Sequence, residues 1–473
     1  MASKRDQLHA YQFLAQRVVS AQVTRESDPE QPPFRRPALA AVGSLAIAVI
    51  ALAVVGVYGF IVPGGNRGWQ GADAVVVEKE TGTRYVYLDG RLHPVANYSS
   101  ALLALGRYGD SRRVSRKSLV GVPRGPRIGI PDAPDALPGP DRVLDEGWTF
   151  CSQPGTDRTG ATVPRSALMV GHRPAAGQPM GERGLLVRVP ETGRLHLVLR
   201  GYRHEIADRD AEPVAVALGA GAAIPMSPTV IEALPAGRPI APIAVPDAGK
   251  PSRAVPGRTD IKAGQVLVVG VSDAARHYLA EVSRLRPISP LQYDIQLAAP
   301  GTAAAYGTER PSGIPLTLPE AASATRTPDL PAAAGDPPRV RPRLAGGDAA
   351  TTVCLVFEPG QGVPGLLLDP AMPATDPMAG TPGRTDAGAR LADRMLVPPG
   401  WVAVVESMPS ADAPAGTLMV VTDMGIAYPV ADPALLEVLG YPNVRPVRVP
   451  AGVVARIPMG SGLSHEAALR RTT

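Results

Sequence analysis

The sequence predicts an α+β fold in a single-pass membrane protein. Its elongated domain beyond the membrane is predicted to combine a β-rich, disulfide-linked core with four small α+β repeats. Three observations support this prediction. An uncharged apolar run of 25 residues occupies positions 38–62, and a strand–turn–strand–helix pattern recurs four times after it. The two cysteines of the chain, Cys151 and Cys354, both lie in β-like runs.

The composition favours a loop-rich body. The 473 residues include 53 Pro and 50 Gly, against 5 Phe, 3 Trp and 12 Tyr. Proline at about twice its average usage of about 5% predicts many rigid turns and exposed connectors. The formal net charge of +5 arises from 48 basic and 43 acidic residues, so charge identifies no partner. Because few aromatic residues accompany the basic ones, nucleic acid is not expected as a partner.

Residues 1–37 are predicted to be a cytosolic segment with an amphipathic helix at about 6–24. One face carries four large apolar residues at spacings of three and four: Leu8, Tyr11, Leu14 and Val18. This helix either lies on the membrane surface or docks onto a cytosolic protein. Only Arg17 and Arg25 flank the apolar face, which favours the protein partner because anionic lipid attracts clusters of basic residues.

Residues 38–62 are predicted to form a transmembrane helix. At 1.5 Å per residue the run is about 37 Å long, enough to cross a hydrocarbon core of about 30 Å. Cleavable signal sequences have shorter apolar cores, so the run is expected to be a permanent anchor. Arg35 and Arg36 precede it and only Arg67 follows closely, so the positive-inside rule predicts a cytosolic N-terminus and residues 63–473 outside.

Both cysteines fall in the outer part of the chain. In an oxidising compartment a disulfide between Cys151 and Cys354 is the favoured interpretation, and two separate buried thiols are the alternative.

Four repeats are predicted in the outer region, at about 84–132, 194–243, 275–327 and 417–461. Each reads as strand, turn, strand and helix, followed by a shorter unit. Three of the shorter units end alike, with Gly two residues after a proline: Pro123, Pro235 and Pro458. The third copy has drifted from this pattern. The remaining strand-like runs, in 133–190, 244–274 and 328–412, are predicted to build the core.

No catalytic or cofactor-binding residue is predicted. The only Gly-Lys pair, Gly249-Lys250, is followed by Pro251 and lacks the leading glycine of a phosphate-binding loop. No nucleophile elbow, His-Glu-x-x-His helix or Cys-x-x-Cys pair occurs. The seven histidines are scattered and predict no metal site; His93 and His204 occupy equivalent repeat positions, which favours packing in a turn over metal ligation.

A basic run follows the first predicted helix of the outer region. It comprises six arginines and one lysine: Arg107, Arg112, Arg113, Arg116, Lys117, Arg124 and Arg127. The run is either a solvated face of the first repeat or a contact with lipid headgroups or an acidic neighbour.

Several motifs carry a family resemblance. They are KRDQLHAYQFLAQRVVSA, the Pro-Pro and Arg-Arg run before the apolar helix, YLDGRLHPVAN, YPVADPALLEVLG and the paired cysteines. Over essentially its whole length the chain resembles EccB, the membrane component of actinobacterial type VII (ESX) secretion systems. The resemblance implies a structural scaffold subunit of an inner (plasma) membrane complex that exports proteins across a mycobacterial-type cell envelope.

The same resemblance implies partners on both sides of the membrane. They are an EccC-type ATPase, the EccD and EccE membrane subunits, other EccB copies that associate through a periplasmic domain, and membrane lipid. EccB proteins are also labelled ATPases, and ATP is implied as a cofactor by that label alone. A periplasmic ATPase with an atypical nucleotide site is therefore the alternative function.

Overall fold

The computed structural model describes residues 3–25, 35–61, 68–71, 73–135, 137–270, 275–329, 331–374 and 380–472. Val62, Arg67 and the Pro-Pro pair at 32–33 lie outside these ranges. The chain divides into two compact units. The small unit comprises residues 1–72, 76–83 and 112–123, and the large unit comprises 73–75, 84–111 and 124–473.

Two long helices belong to the small unit: α1 (Lys4–Thr24) and α2 (Arg35–Ile61). A capping box starts α1, because the Ser3 hydroxyl accepts from the Asp6 backbone N–H while the Asp6 carboxylate accepts from the Ser3 N–H. After its first turn α2 contains only apolar and small residues, which suit a helix that makes all its backbone hydrogen bonds internally.

The predicted repeats appear as one order of elements that occurs four times: three strands, a helix, a fourth strand and a short helix. The first copy comprises β1 (Val75–Glu78), β2 (Arg84–Leu88), β3 (Arg91–Pro94), α3 (Tyr98–Leu105), β4 (Ser111–Val114) and α4 (Arg116–Leu119). Three strands follow it: β5 (Trp148–Thr156), β6 (Thr162–Met169) and β7 (Gln178–Pro179). The second copy comprises β8 (Leu185–Arg188), β9 (Leu195–Leu199), β10 (Tyr202–Ile206), α5 (Ala211–Leu218), β11 (Ile224–Pro225) and α6 (Pro228–Ala233).

The third copy has one additional helix. It comprises β12 (Val266–Val269), β13 (Arg276–Ala280), β14 (Leu285–Ile288), α7 (Pro290–Ala298), α8 (Pro300–Tyr306), β15 (Ile314–Leu316) and α9 (Leu318–Ser323). Three more strands follow: β16 (Val353–Phe357), β17 (Gly365–Leu368) and β18 (Arg394–Leu396). The fourth copy comprises β19 (Val402–Met408), β20 (Thr417–Thr422), β21 (Ala427–Pro429), α10 (Leu435–Val438), β22 (Val447–Pro450) and α11 (Ala451–Val454), and α12 (His465–Ala468) follows it. Short 3-10 helices occur at Pro140–Arg142 and Asp208–Asp210.

The second, third and fourth repeats share one sheet topology. Their strand orders are β10-β9-β8-β11, β14-β13-β12-β15 and β21-β20-β19-β22. In each, the first strand is antiparallel to the second and parallel to the fourth. The helix supplies the crossover that a parallel pairing requires. The first repeat contributes the β2–β3 hairpin to the large unit, with Tyr85 opposite Pro94.

The structure differs from the predicted division between core and repeats. The runs containing β8, β12 and β19 were predicted as core strands, but each is an inner strand of a repeat sheet. Inner strands are covered on both faces and therefore read as continuous apolar runs, which the sequence pattern does not distinguish from core strands. Within the described residues, range 244–274 contributes no strand to the central sheet.

The central sheet has six strands in the order β18-β6-β5-β16-β17-β7. β5 and β16 are antiparallel neighbours, and their register places Cys151 opposite Cys354. The largest core cluster includes Trp148 and Phe150 of β5 and continues into residues of the second and fourth repeats. The predicted α+β class with a disulfide-linked core and small repeats is confirmed.

Helices join the repeats within the large unit. α5 packs against α7, α3 packs against α10 and α12, and α6 packs against α11. Backbone hydrogen bonds near the C-terminus make a further connection within the large unit. Gly129 N–H donates to the Arg470 carbonyl and Thr472 N–H donates to the Arg127 carbonyl, both at 3.0 Å. The C-terminal segment therefore ties the end of the first repeat to the fourth.

Candidate functional sites

The four docking residues predicted on α1 all have exposed side chains. The exposed fractions are 55% for Leu8, 72% for Tyr11, 61% for Leu14 and 56% for Val18. At 100° per residue they occupy an arc of about 120° on one side of the helix. We call these four residues the α1 stripe.

Three further apolar side chains on α1 are exposed off the stripe: Phe13, Val19 and Val23. The guanidinium of Arg17 lies 5.8 Å from the centre of the Phe13 ring, a cation–π distance. The sequence shows these residues, but their spacing does not fit a single helical face. The apolar surface of α1 is therefore wider than the stripe that the periodicity predicts.

Helix α2 presents apolar side chains on all sides. Residues Ala38–Tyr58 have a mean hydropathy of 2.7 and none of their apolar window is buried. A core helix of a soluble protein would have one face covered, whereas exposure all round suits lipid. Among the described residues, α2 is the one helix long and apolar enough to cross a membrane.

The disulfide lies inside the central sheet. Cys151 and Cys354 are joined across neighbouring strands, with Cα atoms 4.0 Å apart, and both are fully buried. Met169 packs against the pair in a small apolar cluster. The bond links two chain positions 203 residues apart, one before the second repeat and one after the third.

His93 and His204 have the same role in two repeats. His93 Nδ1 lies 3.1 Å from the Pro126 carbonyl and His204 Nδ1 lies 2.8 Å from the Arg238 carbonyl. In each case the ring covers a glycine, Gly125 or Gly237, where an added Cβ would overlap the imidazole. These contacts agree with the predicted packing role and explain the recurring glycine after Pro123 and Pro235.

The remaining histidines are dispersed. Within the described ranges, no three His, Cys, Asp or Glu side chains form a group suited to a metal ion. His465 Nδ1 lies 2.7 Å from the Leu103 carbonyl at the end of α3, so this ring contributes to the joint between α12 and α3. Burial lowers the pKa of His196, His204 and His277 below the ordinary value of 6.5.

A charged cavity of about 350 Å³ lies beside the central sheet. Two of its three acids are in ion pairs: Arg165 lies 3.2 Å from Asp393, and Arg390 lies 2.5 Å from Glu191. The third, Asp157, accepts hydrogen bonds from the Thr159 N–H, the Thr159 hydroxyl and the Ala161 N–H. The backbone N–H and hydroxyl of Ser166 also donate to Asp393, at 2.8 and 2.6 Å. These carboxylates are engaged by neighbouring groups of the protein, and none is placed as a free general base.

Members of the basic run have separate structural partners. In the small unit Arg116 lies 2.8 Å from Glu78. In the large unit Arg107 pairs with Asp73, and Arg124 lies 4.6 Å from the Tyr85 ring centre. At least three of the seven basic side chains thus have roles within the fold.

One candidate span, four repeats and a disulfide-linked sheet define a membrane-anchored repeat protein. The family model described as "Type VII secretion system ESX-1, transport TM domain B", T7SS_ESX1_EccB, matches residues 1–473. The chain belongs to this EccB family and is a membrane-associated secretion-system subunit.

Relatives match over most of the chain. The "ESX-2 secretion system ATPase EccB2" of Mycobacterium tuberculosis is 28% identical over 489 aligned residues, covering 99% of this chain and 94% of the relative. The "ESX-3 secretion system ATPase EccB3" of the same organism is 30% identical over 61% of this chain and 55% of the relative.

Solved structures share the fold. A chain of an intact ESX-5 inner membrane complex matches with a TM-score of 0.60 at 22% identity, covering 100% of this chain and 96% of the other. The structure of an EccB3 dimer from the ESX-3 core complex matches with a TM-score of 0.60 at 26% identity, covering 84% of this chain and 100% of the other.

Proposed function

We propose that this chain is a scaffold subunit of a type VII secretion complex in the inner membrane. Residues 1–37 dock cytosolic parts of the complex, 38–62 anchor the chain, and 63–473 form a periplasmic body that associates with other copies. The observation that carries the proposal is the whole-length family match, together with a similar structure that is itself a dimer.

The partners on each side follow from the same proposal. The α1 stripe meets an EccC-type ATPase and EccD, while EccE completes the membrane assembly. Exposed apolar side chains along α1 support this role, because leaving them in water is unfavourable by roughly 25 cal/mol per Å² of apolar surface. A covering partner removes that unfavourable exposure.

Deleting residues 3–25 tests docking directly. The deletion removes α1 and leaves α2 intact, so we expect normal membrane insertion and loss of the EccC-like and EccD-like proteins that co-purify in mild detergent. Retention of both partners by the truncated chain would refute the docking role.

Orientation has its own test. The native cysteines form a buried disulfide, so a thiol reagent labels only an introduced cysteine. The variants Gln7→Cys and Asp412→Cys therefore each report on one side of the membrane. On intact spheroplasts a membrane-impermeant maleimide should label position 412 and not position 7. The reverse pattern would invert the proposed topology.

A periplasmic ATPase is the second candidate, because the curated relatives are named ATPases. Purified full-length chain should then hydrolyse ATP with saturable kinetics at a constant specific rate across independent preparations. Substitution of one Asp, Glu or Lys should abolish turnover. A rate that varies with contaminant level would contradict this function.

A further inference from the structure

A cavity of about 810 Å³ belongs to the third repeat. It lies along the neighbouring strands β13 and β14 and is also lined by residues of segment 324–329 and by Arg339. Ligand-binding cavities in proteins typically measure about 300–1,000 Å³. The cavity therefore has room for a small organic molecule.

The third repeat lacks a ring contact that the other three possess. One backbone hydrogen bond identifies the equivalent residue in each repeat. In it, an N–H group donates at 2.9 Å to a carbonyl on the third strand of the same repeat, and the donors are Gly125, Gly237, Thr327 and Gly460. The three glycines are covered by the rings of His93, His204 and Tyr428. At Thr327 the neighbouring third-strand residue is Arg286, whose Nη2 lies 2.6 Å from Glu281 Oε1.

The charged side chains of the cavity lining are mostly cationic. Three arginines and one aspartate contribute: Arg276, Arg326, Arg339 and Asp329. Arg339 is 3.7 Å from Asp329, whereas Arg276 and Arg326 have no acidic partner within ion-pair distance in the described part of the chain. Three positive charges against one negative leave a formal excess of two, the charge that a phosphate monoester approaches at neutral pH.

Two buried polar atoms at this cavity have no hydrogen-bond partner among the described residues. They are His277 Nδ1 and Thr327 Oγ1. A buried polar atom left without a partner costs about 1–3 kcal/mol, so such atoms are rare in folded proteins. Both atoms belong to residues that line the cavity.

We propose that the cavity of the third repeat binds a phosphate-bearing ligand about the size of a sugar phosphate. Guanidinium groups recognise phosphate through paired, charge-assisted hydrogen bonds. The Thr327 hydroxyl and the His277 imidazole supply additional polar contacts. Burial lowers the pKa of His277, so its neutral ring offers either a donor or an acceptor.

Titration calorimetry on the full-length chain in a neutral detergent tests this site. The probes are sn-glycerol 3-phosphate, the soluble short-chain lipid dihexanoyl-phosphatidylglycerol, and uncharged glycerol as the negative control. We expect saturable binding of a phosphate-bearing probe and none of glycerol. Binding of the sugar-sized ester alone identifies a soluble ligand, and binding of the lipid alone identifies a headgroup.

Variants distinguish this site from nonspecific attraction. The double variant Arg276→Gln, Arg326→Gln should weaken binding by about tenfold or more, since charge-assisted hydrogen bonds are lost. Arg310→Gln, an exposed arginine outside the cavity, should change affinity less than about twofold. Thr327→Val, which keeps the shape and removes the hydroxyl, gives a second readout if the double variant unfolds, and should weaken binding severalfold. Absence of binding by either phosphate probe, or equal losses in the cavity and control variants, would overturn the proposal.

Discussion

The N-terminal helices and the large unit place their apolar side chains in opposite environments. Tyr11 of α1 and Leu52 of α2 are each 72% exposed, whereas Trp148 and Phe150 in the central sheet are fully buried. The core side chains of the large unit are covered by one another. In the proposed function, lipid covers the apolar side chains of α2 and a partner protein covers those of α1.

The comparison also separates two kinds of expected defect. A substitution in the large unit should change its free energy of unfolding, because its residues are stabilised by one another. A substitution on the surface of α1 should change assembly and leave that free energy nearly unaltered. The following predictions run from the largest expected effect to the smallest.

Loss of the disulfide should have the largest effect on stability. Cys151→Ser removes the bond between β5 and β16 and leaves the Cys354 thiol buried, so we expect the large unit to lose about 2–5 kcal/mol of stability. Thermal unfolding followed by circular dichroism measures the change, and membrane insertion should be normal. An unaltered melting temperature, or two free thiols found by mass mapping of the native chain, would contradict the structure.

Crowding the glycine beneath His204 should have an intermediate effect. Gly237→Ala places a methyl group against the buried imidazole, and overpacking of this kind costs about 1–3 kcal/mol. Gly221→Ala is the matched control, because an added Cβ there meets no atom within 4 Å. If both variants unfold at the same temperature, the ring does not pack on the glycine as described.

Acidification should have the smallest effect. Burial lowers the folded-state pKa of His204, opposed by the Arg238 carbonyl and by Asp336. Between its unfolded value of 6.5 and the lower folded value, the unfolded chain binds more protons, so stability falls as the pH falls below 6.5.

Two substitutions check the source of this pH dependence. Denaturant unfolding across pH 5–7.5 should show a shallower slope for His204→Gln than for the native chain. His9→Gln, on the exposed surface of α1, should leave the slope unchanged. Equal slopes for the native chain and His204→Gln would assign the pH dependence to other groups.

The sequence predicts those parts of the fold whose signal is local. The apolar run of α2, the periodic residues of α1 and the hairpin turn at Asp89-Gly90 are local patterns. Both of these turn residues have positive φ, of 48° and 76°, as a tight two-residue hairpin requires. The cysteine pair was predictable because the chain has only two cysteines and the positive-inside rule predicts that both lie outside.

The remainder depends on contacts between distant residues. The strands β8, β12 and β19 have no feature that assigns them to repeats, because buried inner strands and core strands are both continuously apolar. Gly237 was visible in a Pro-x-Gly pattern, but the ring above it becomes apparent only when the third strand and the following loop are aligned. The cavity of the third repeat arises where that pattern is lost, and sequence drift alone does not indicate a cavity.

The most direct measurement compares two double variants of α1 in the otherwise native chain. Leu14→Asp with Val18→Asp places two charges on the α1 stripe, and Gln12→Asp with Gln16→Asp places the same charges on exposed positions away from it. The control loses at least as much helix propensity, because Gln is a better helix former than Val and about equal to Leu. We predict that the stripe variant inserts normally and no longer co-purifies with EccC-like and EccD-like proteins in mild detergent, while the control retains them. Equal retention, or equal loss, in the two variants would contradict the claim that α1 docks through this stripe.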